Sequence, residues 1–288
     1  MSIIKSIIGV SAIALLSGCA TQRDANLTVA QIESVNVITP DQVEYQPLNP
    51  ARGDASPQAG VLWGDIRQDV PSGVLLQFAE GFASPPHIHN ITYRAVVIRG
   101  EVHNDDPDAE NMWMGPGSFW IQPAGEVHIT SARPGVGATA FLEILEGPYL
   151  VQPEDMAFDN GERPVNIVES NQVWLTSDDL TWISADGGLS TKAEAAFLWG
   201  KPETGQLSAS LIRLSAGQKA SLSTVNGDLK AVMTKGELIH EVIGASEPST
   251  VGAGGYFSSL EGINHTLECR AAESCVIYLR TEGQFRLS

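Results

Sequence analysis

The sequence is short of cysteine, of positive charge and of long apolar runs, and each shortage closes a class of function. Lys and Arg number 17 against 34 Asp and Glu, a formal charge of −17, so a phosphate backbone would be repelled and nucleic acid is excluded as a partner. The apolar run that opens the chain, Ile7 to Leu16, is too short to cross a bilayer as a stable helix. No helical period is sustained after residue 33, and neither a Ser/His/Asp order nor a phosphate-cradling Gly loop stands out. What is there is ordinary: 288 residues, 43% hydrophobic, with 28 Gly and 16 Pro, describe a turn-rich folded protein of one large domain or two smaller ones.

Lys5 followed by the Ile7–Leu16 run has the form of a secretory signal. It ends in Leu16-Ser17-Gly18-Cys19, which resembles the lipobox of bacterial lipoproteins. The resemblance implies that residues 1–18 are removed, that Cys19 is acylated, and that residues 19–32 are a tether to a membrane lipid anchor. Ala20 stands where lipoproteins retained at the inner membrane carry Asp, so the resemblance implies the cell envelope, at the outer membrane facing the periplasm. With Cys19 set aside, Cys269 and Cys275 form an even pair in an oxidising compartment and read as a disulfide across a hairpin end.

The chain repeats itself. Leu62-Trp63-Gly64 returns as Leu198-Trp199-Gly200, and Ala95–Val102 returns as Ala231–Leu238, both 136 positions later. The spacing becomes 137 between Gly117 and Gly254 and between His128 and His265, a slip that loops tolerate. Shared offsets across several segments argue duplication. Within each half, short apolar or alternating runs such as Val74–Phe78, Ser118–Gln122 and Ala140–Leu145 are separated by Gly, Pro and Asp clusters. This predicts an all-β chain of two tandem jelly-roll β-barrels, 33–168 and 169–288, divided within a polar stretch.

Chemistry is concentrated in the first half. Gly81, five residues, then His87-Ile88-His89 and a closing Gly100 resemble the first motif of the cupin superfamily. Gly117, five residues, then Pro123-Ala124-Gly125-Glu126-Val127-His128 resemble the second. Together the halves resemble a bicupin family related to cupin-like anti-sigma factors. Independently of that resemblance, residues i and i+2 of a strand share a face, so His87 and His89 project together, and His128 from another strand would complete three neutral nitrogen ligands. Such a set suits a divalent transition metal, Zn, Fe, Mn, Ni or Cu, with protons competing below about pH 6.5. His128 is expected to face the His87–His89 strand across the pocket.

The family pattern carries a Glu four or five residues after the second His, where this chain has Tyr93 and Arg94. An inward Arg94 would favour an anionic ligand; alternatively Arg94 pairs with Glu101 or Glu126 and a distant acid such as Glu143 supplies a fourth ligand. Trp113 and Trp120 are candidate pocket walls, and Tyr93 and Glu126 candidate proton-transfer groups. The second half has Ser223 and Val225 where the first has His87 and His89, leaving His265 as a structural residue and the half for packing, a homo-oligomer contact or an organic ligand site. Two functions fit: a metal-dependent binding or sensing protein for a small anionic ligand, and a dioxygenase-, isomerase- or hydrolase-like metal enzyme acting on a small molecule.

Overall fold

A computed structural model describes residues 27–182 and 193–288. The signal-like segment 1–18 and Cys19 lie outside the described residues. Val29–Ser34, which begins within the expected tether 19–32 and ends beyond it, is a short helix opened by a Thr28–Gln31 capping box. Among the described residues no helix is long and apolar enough to cross a membrane.

The described residues are otherwise dominated by strands in two similar units. In the first, the main sheet runs in the order Val165–Ile167, Phe119–Gln122, Tyr93–Arg99, Ala138–Ile144, Ser72–Phe78, Gln58–Trp63, Tyr45–Pro47. In the second, Tyr256–Ser259, Leu229–Lys235, Ser274–Glu282, Leu207–Ser215 and Glu194–Gly200 follow the same order. Even the irregularities repeat: the bulge between Val61 and Trp63 has its counterpart between Phe197 and Trp199. An antiparallel second layer faces each main sheet. In the first unit it consists of His87–His89 with Val151–Pro153 and of Val102–Asp105 with Ile129–Ala132. The hydrogen-bonded sheets do not close on themselves, so each unit is a jelly roll of facing sheets and not the closed β-barrel expected. The units also share an edge, because Asn36–Ile38 pairs with Tyr256–Ser259 of the second main sheet.

Alternation along the central strands explains how the units pack. On Ala138–Ile144, residues Ala140, Leu142 and Ile144 point into the first unit's own core, whereas Phe141 points out of it and into a second core. That second core joins Leu75, Val96, Phe119 and Phe141 to Leu211, Val232 and Tyr278 of the other unit. Both faces of each main sheet are therefore buried, which is why its strands read as nearly continuous apolar runs. The repeat-related Trp63 and Trp199 both pack at this interface.

One buried charge cluster lies between the units. Glu143 is fully buried; Arg280 Nε stands 2.9 Å from its Oε1, and the Tyr278 hydroxyl donates to its Oε2. Trp199 Nε1 donates to the Tyr278 oxygen at 2.9 Å, and the Arg94 guanidinium lies over the Trp199 ring, 4.6 Å from its centroid. The second unit is stapled by the expected Cys269–Cys275 disulfide, which joins strands His265–Cys269 and Ser274–Glu282.

Candidate metal centre

Residues 81–89 and 123–130 bring the three motif histidines together. His87 and His128 are backbone partners, each N–H donating to the other's carbonyl, at 3.1 Å and 3.0 Å. His128 thus lies beside the His87–His89 strand in the same layer and not opposite it across the pocket, since a direct bridge leaves no room for an intervening strand. The turn delivering it needs a glycine: Gly125 has φ +77°, and a Cβ there would collide with Phe158. Ring centroids stand 4.3 Å apart for His87–His128, 5.0 Å for His87–His89 and 5.2 Å for His89–His128.

Each ring spends one nitrogen on a backbone carbonyl. His87 Nδ1 lies 2.9 Å from Pro85 O, His89 Nδ1 3.0 Å from Leu150 O, and His128 Nδ1 3.0 Å from Glu126 O. A carbonyl can only accept, so each Nδ1 carries the hydrogen and each Nε2 presents a lone pair, that of His89 accepting from the Tyr149 hydroxyl at 3.1 Å. His128 Nε2 is buried without a partner, and one ligand nitrogen from each of the three rings lies within 4.8 Å of the others. A divalent metal is the chemistry that answers three converging imidazole lone pairs whose opposite nitrogens are already fixed. Glu126 takes part through its carbonyl, which also accepts from Gln122 Nε2 at 3.2 Å.

Burial keeps these imidazoles neutral. Desolvation lowers His87, His89 and His128, the last to about 3, with each other's charge adding to the effect for His89 and His128. Proton competition for metal therefore begins further into acid than the ordinary imidazole value suggests. Buried His240 and His265 of the second unit are lowered too, by desolvation first, to about 4 and about 3. The unfolded chain takes up protons below its ordinary value near 6.5 that the folded chain refuses, so stability is complete above that pH and is lost as pH falls toward the folded values. The metal-free protein is expected to lose about 1.4 kcal/mol per pH unit for each such histidine. Urea midpoints measured between pH 7 and 4 check this; a constant midpoint would mean the rings are not held neutral.

Beside the histidines opens a cavity of about 160 Å³. His87, His89, Tyr93, Trp120 and Tyr149 line its inner end, and Leu48, Phe78, Phe82, Leu142 and Val151 form apolar walls. Arg52, exposed on the short 3₁₀ segment Pro50–Ala55, stands at its edge. Tyr93 is in the cavity wall, its hydroxyl donating 2.9 Å to Asn104 Oδ1; burial pushes that phenol well above its usual range. Asn104 also accepts from Thr130 Oγ1 at 2.7 Å and donates to Gln122 Oε1 at 2.9 Å, tying Tyr93 to the carbonyl that orients His128.

Four expected site groups, Arg94, Glu143, Trp113 and the Glu126 carboxylate, are elsewhere. Arg94 follows Tyr93 on the same strand, so period-two alternation turns it to the opposite face, where it covers Trp199 between the units. Glu143 pairs with Arg94 in the strand register, shares that outer face and is committed to Arg280, which rules it out as fourth ligand. Trp113 packs against His103, 6.0 Å between ring centroids, outside the cavity lining, while Glu101 pairs with Arg133. The Glu126 carboxylate is likewise outside the lining. Tyr149, absent from the motifs, is the group sequence reading missed: it stacks on His89, 4.3 Å between centroids, with its hydroxyl 3.1 Å from His89 Nε2.

In the second unit, the corresponding place is filled by protein. The Ser259 hydroxyl donates to Leu260 O, so His265 Nε2–H donates to Ser259 Oγ at 2.8 Å, and His265 Nδ1 accepts from His240 Nε2 at 2.8 Å. Both nitrogens of His265 are spent, as expected for a structural residue.

Residues 36–288 match the family DUF4437, a domain of unknown function. The chain belongs to this family. No curated protein matches the sequence. Among solved structures it is similar to a provisionally assigned dioxygenase from Nostoc punctiforme, at 11% identity and TM-score 0.64, over 87% of this chain and 83% of that one. It is also similar to a 7S globulin from Momordica charantia, at 9% identity and TM-score 0.55 over 88% and 86% of the two chains. A formate complex of Lactobacillus farciminis oxalate decarboxylase gives 10% identity and TM-score 0.54 over 88% of each. A decarboxylase and a globulin share this architecture, so the likeness establishes a tandem cupin fold and leaves function to the site.

Proposed function

We propose that this DUF4437 chain is a metal-binding bicupin lipoprotein of the cell envelope. Its first unit holds one divalent transition metal ion on His87, His89 and His128 and binds a small anionic ligand, and Cys19 carries the lipid that anchors it to the outer membrane facing the periplasm. The observation that carries the metal site is the set of three Nε2 lone pairs fixed by three Nδ1–H bonds to backbone carbonyls. Bound there, a divalent ion would act as a Lewis acid toward a ligand oxygen. Three neutral imidazoles leave its charge uncompensated, and among the described residues no carboxylate lines the cavity. Both features favour an anion. Kinship with cupin-like anti-sigma factors, suggested by the motifs, fits a sensing role in which ligand completes the shell. The enzyme reading draws its support from Tyr149, whose hydroxyl sits beside the histidines where a proton donor would be needed.

Full-length protein carrying no histidine tag, isolated from the membrane fraction, is expected to contain one transition metal ion per chain by elemental analysis, and Cys19→Ser is expected in the soluble periplasmic fraction. Metal-free protein would overturn the site; a Cys19→Ser form that stays with the membrane would overturn the anchor.

A further inference from the structure

The cavity has a chemistry of its own that narrows the ligand. Its walls at Leu48, Phe78, Phe82, Leu142 and Val151 are apolar, and its only charged lining residue among those described is Arg52. In a chain with 34 acidic residues against 17 basic ones, a lining with one cation and no carboxylate runs against the overall composition. The overall charge of −17 opposes an incoming anion, but that field is screened over roughly 8–10 Å in physiological salt. At contact range the cavity edge is locally positive. Size sets a second limit: about 160 Å³ is close to the roughly 150 Å³ apolar cavity that accepts a benzene ring. Trp120, 1% exposed, lines the cavity beside Tyr93 and adds an aromatic face to the lining.

From these features we infer that the ligand is a monocarboxylate with a compact apolar body about the size of one six-membered ring. Its carboxylate lies between the three-histidine centre and Arg52, and its body against the Phe78, Phe82 and Leu142 wall. This rests on the metal-site reading above. A short dianion such as oxalate satisfies the positive end but leaves the apolar wall bare. A neutral ring compound fills the wall but leaves Arg52 and the metal unanswered.

The test uses the full chain loaded with Co(II), its metal content measured in each sample, titrated with benzoate, acetate, oxalate and benzyl alcohol. Benzoate is expected to bind more tightly than each of the other three by about tenfold or more, the ring's apolar area separating it from acetate. Arg52 is exposed, so Arg52→Gln keeps the fold and is expected to weaken benzoate by about fivefold, with loss of the salt dependence. Val151 is 54% exposed, so Val151→Asp places a carboxylate at the cavity with little cost to folding and is expected to reject benzoate more strongly than Arg52→Gln does. Equal binding of acetate, oxalate or benzyl alcohol, or unchanged benzoate affinity in both variants, with one cobalt ion per chain, would overturn this inference and leave the metal site standing. Failure to take up cobalt would overturn the metal site and this inference with it.

Discussion

His128→Ala is expected to take the bound transition metal from one ion per chain to none, while His265→Ala leaves it at one. The two histidines occupy equivalent positions of the duplication, so the contrast lies in what surrounds each ring. His128 spends Nδ1 on the Glu126 carbonyl and keeps Nε2 bare and buried next to two more imidazoles fixed in the same sense. His265 has both nitrogens engaged, and its neighbours at the ligand positions are Ser223 and Val225. Loss of a supporting hydrogen bond to a metal ligand costs about 10–100-fold in affinity, so loss of the ligand itself should exceed that and empty the site at micromolar metal. Elemental analysis after gel filtration, with circular dichroism to show that the fold is kept, reads the result. Full occupancy in His128→Ala, or two equal ions in the unmodified protein, would show that the duplicated halves have been assigned the wrong roles.

The fold and the three-histidine cluster were legible because both are carried by spacing. A duplication leaves offsets that survive sequence drift, and two histidines two apart on a strand share a face whatever lies around them. The same rule applied one residue further would have placed Arg94 correctly, since Tyr93 and Arg94 are neighbours and must face opposite ways. What obscured this is that the outer face of the strand is not solvent but a second apolar core, so burial alone does not mark the pocket side. Glu143 is a further case: as a distant acid it was open as a fourth ligand, and only the register with Arg94 and its contact with Arg280 reveal its true neighbours.

Tyr149 and Asn104 were beyond reach for a different reason. Tyr149 meets His89 because Val151–Pro153, about sixty positions away in sequence, pairs with His87–His89, and no local pattern announces a three-residue strand. Asn104 lies in a run, His103 to Asp108, that reads as a solvated acidic turn, yet its first residues form a strand and Asn104 is the buried hub between Tyr93, Gln122 and Thr130. Its counterpart in the second unit is His240, whose Nε2–H occupies the Nδ1 lone pair of His265 at 2.8 Å.

Glu143→Gln is expected to destabilise the protein by about 3 kcal/mol while leaving the metal at one ion per chain. Burial pushes this carboxyl up, whereas Arg280, the Tyr278 hydroxyl, Arg94 and Lys230 pull it down. Of these cations, Lys230 and Arg280 share one other carboxylate, Asp228, which pairs with Lys230 and lies 3.7 Å from Arg280 Nη1. Neutralising Glu143 would leave a 7%-exposed Arg280 with only that longer contact, and an uncompensated buried charge is the costly outcome. Glutamine keeps the shape and can still accept from Tyr278, so the loss reports charge and not packing. The second variant, Glu143→Leu with Arg280→Met, removes both charges and is expected to recover most of the stability, because an apolar pair of similar volume commonly matches a buried ion pair. Guanidinium denaturation gives both values. A Glu143→Gln protein as stable as the parent would mean that the cluster is hydrated and the interface between the units wetter than its packing implies. A change in metal content would mean that the outer face of Ala138–Ile144 is coupled to the cavity face that Leu142 lines.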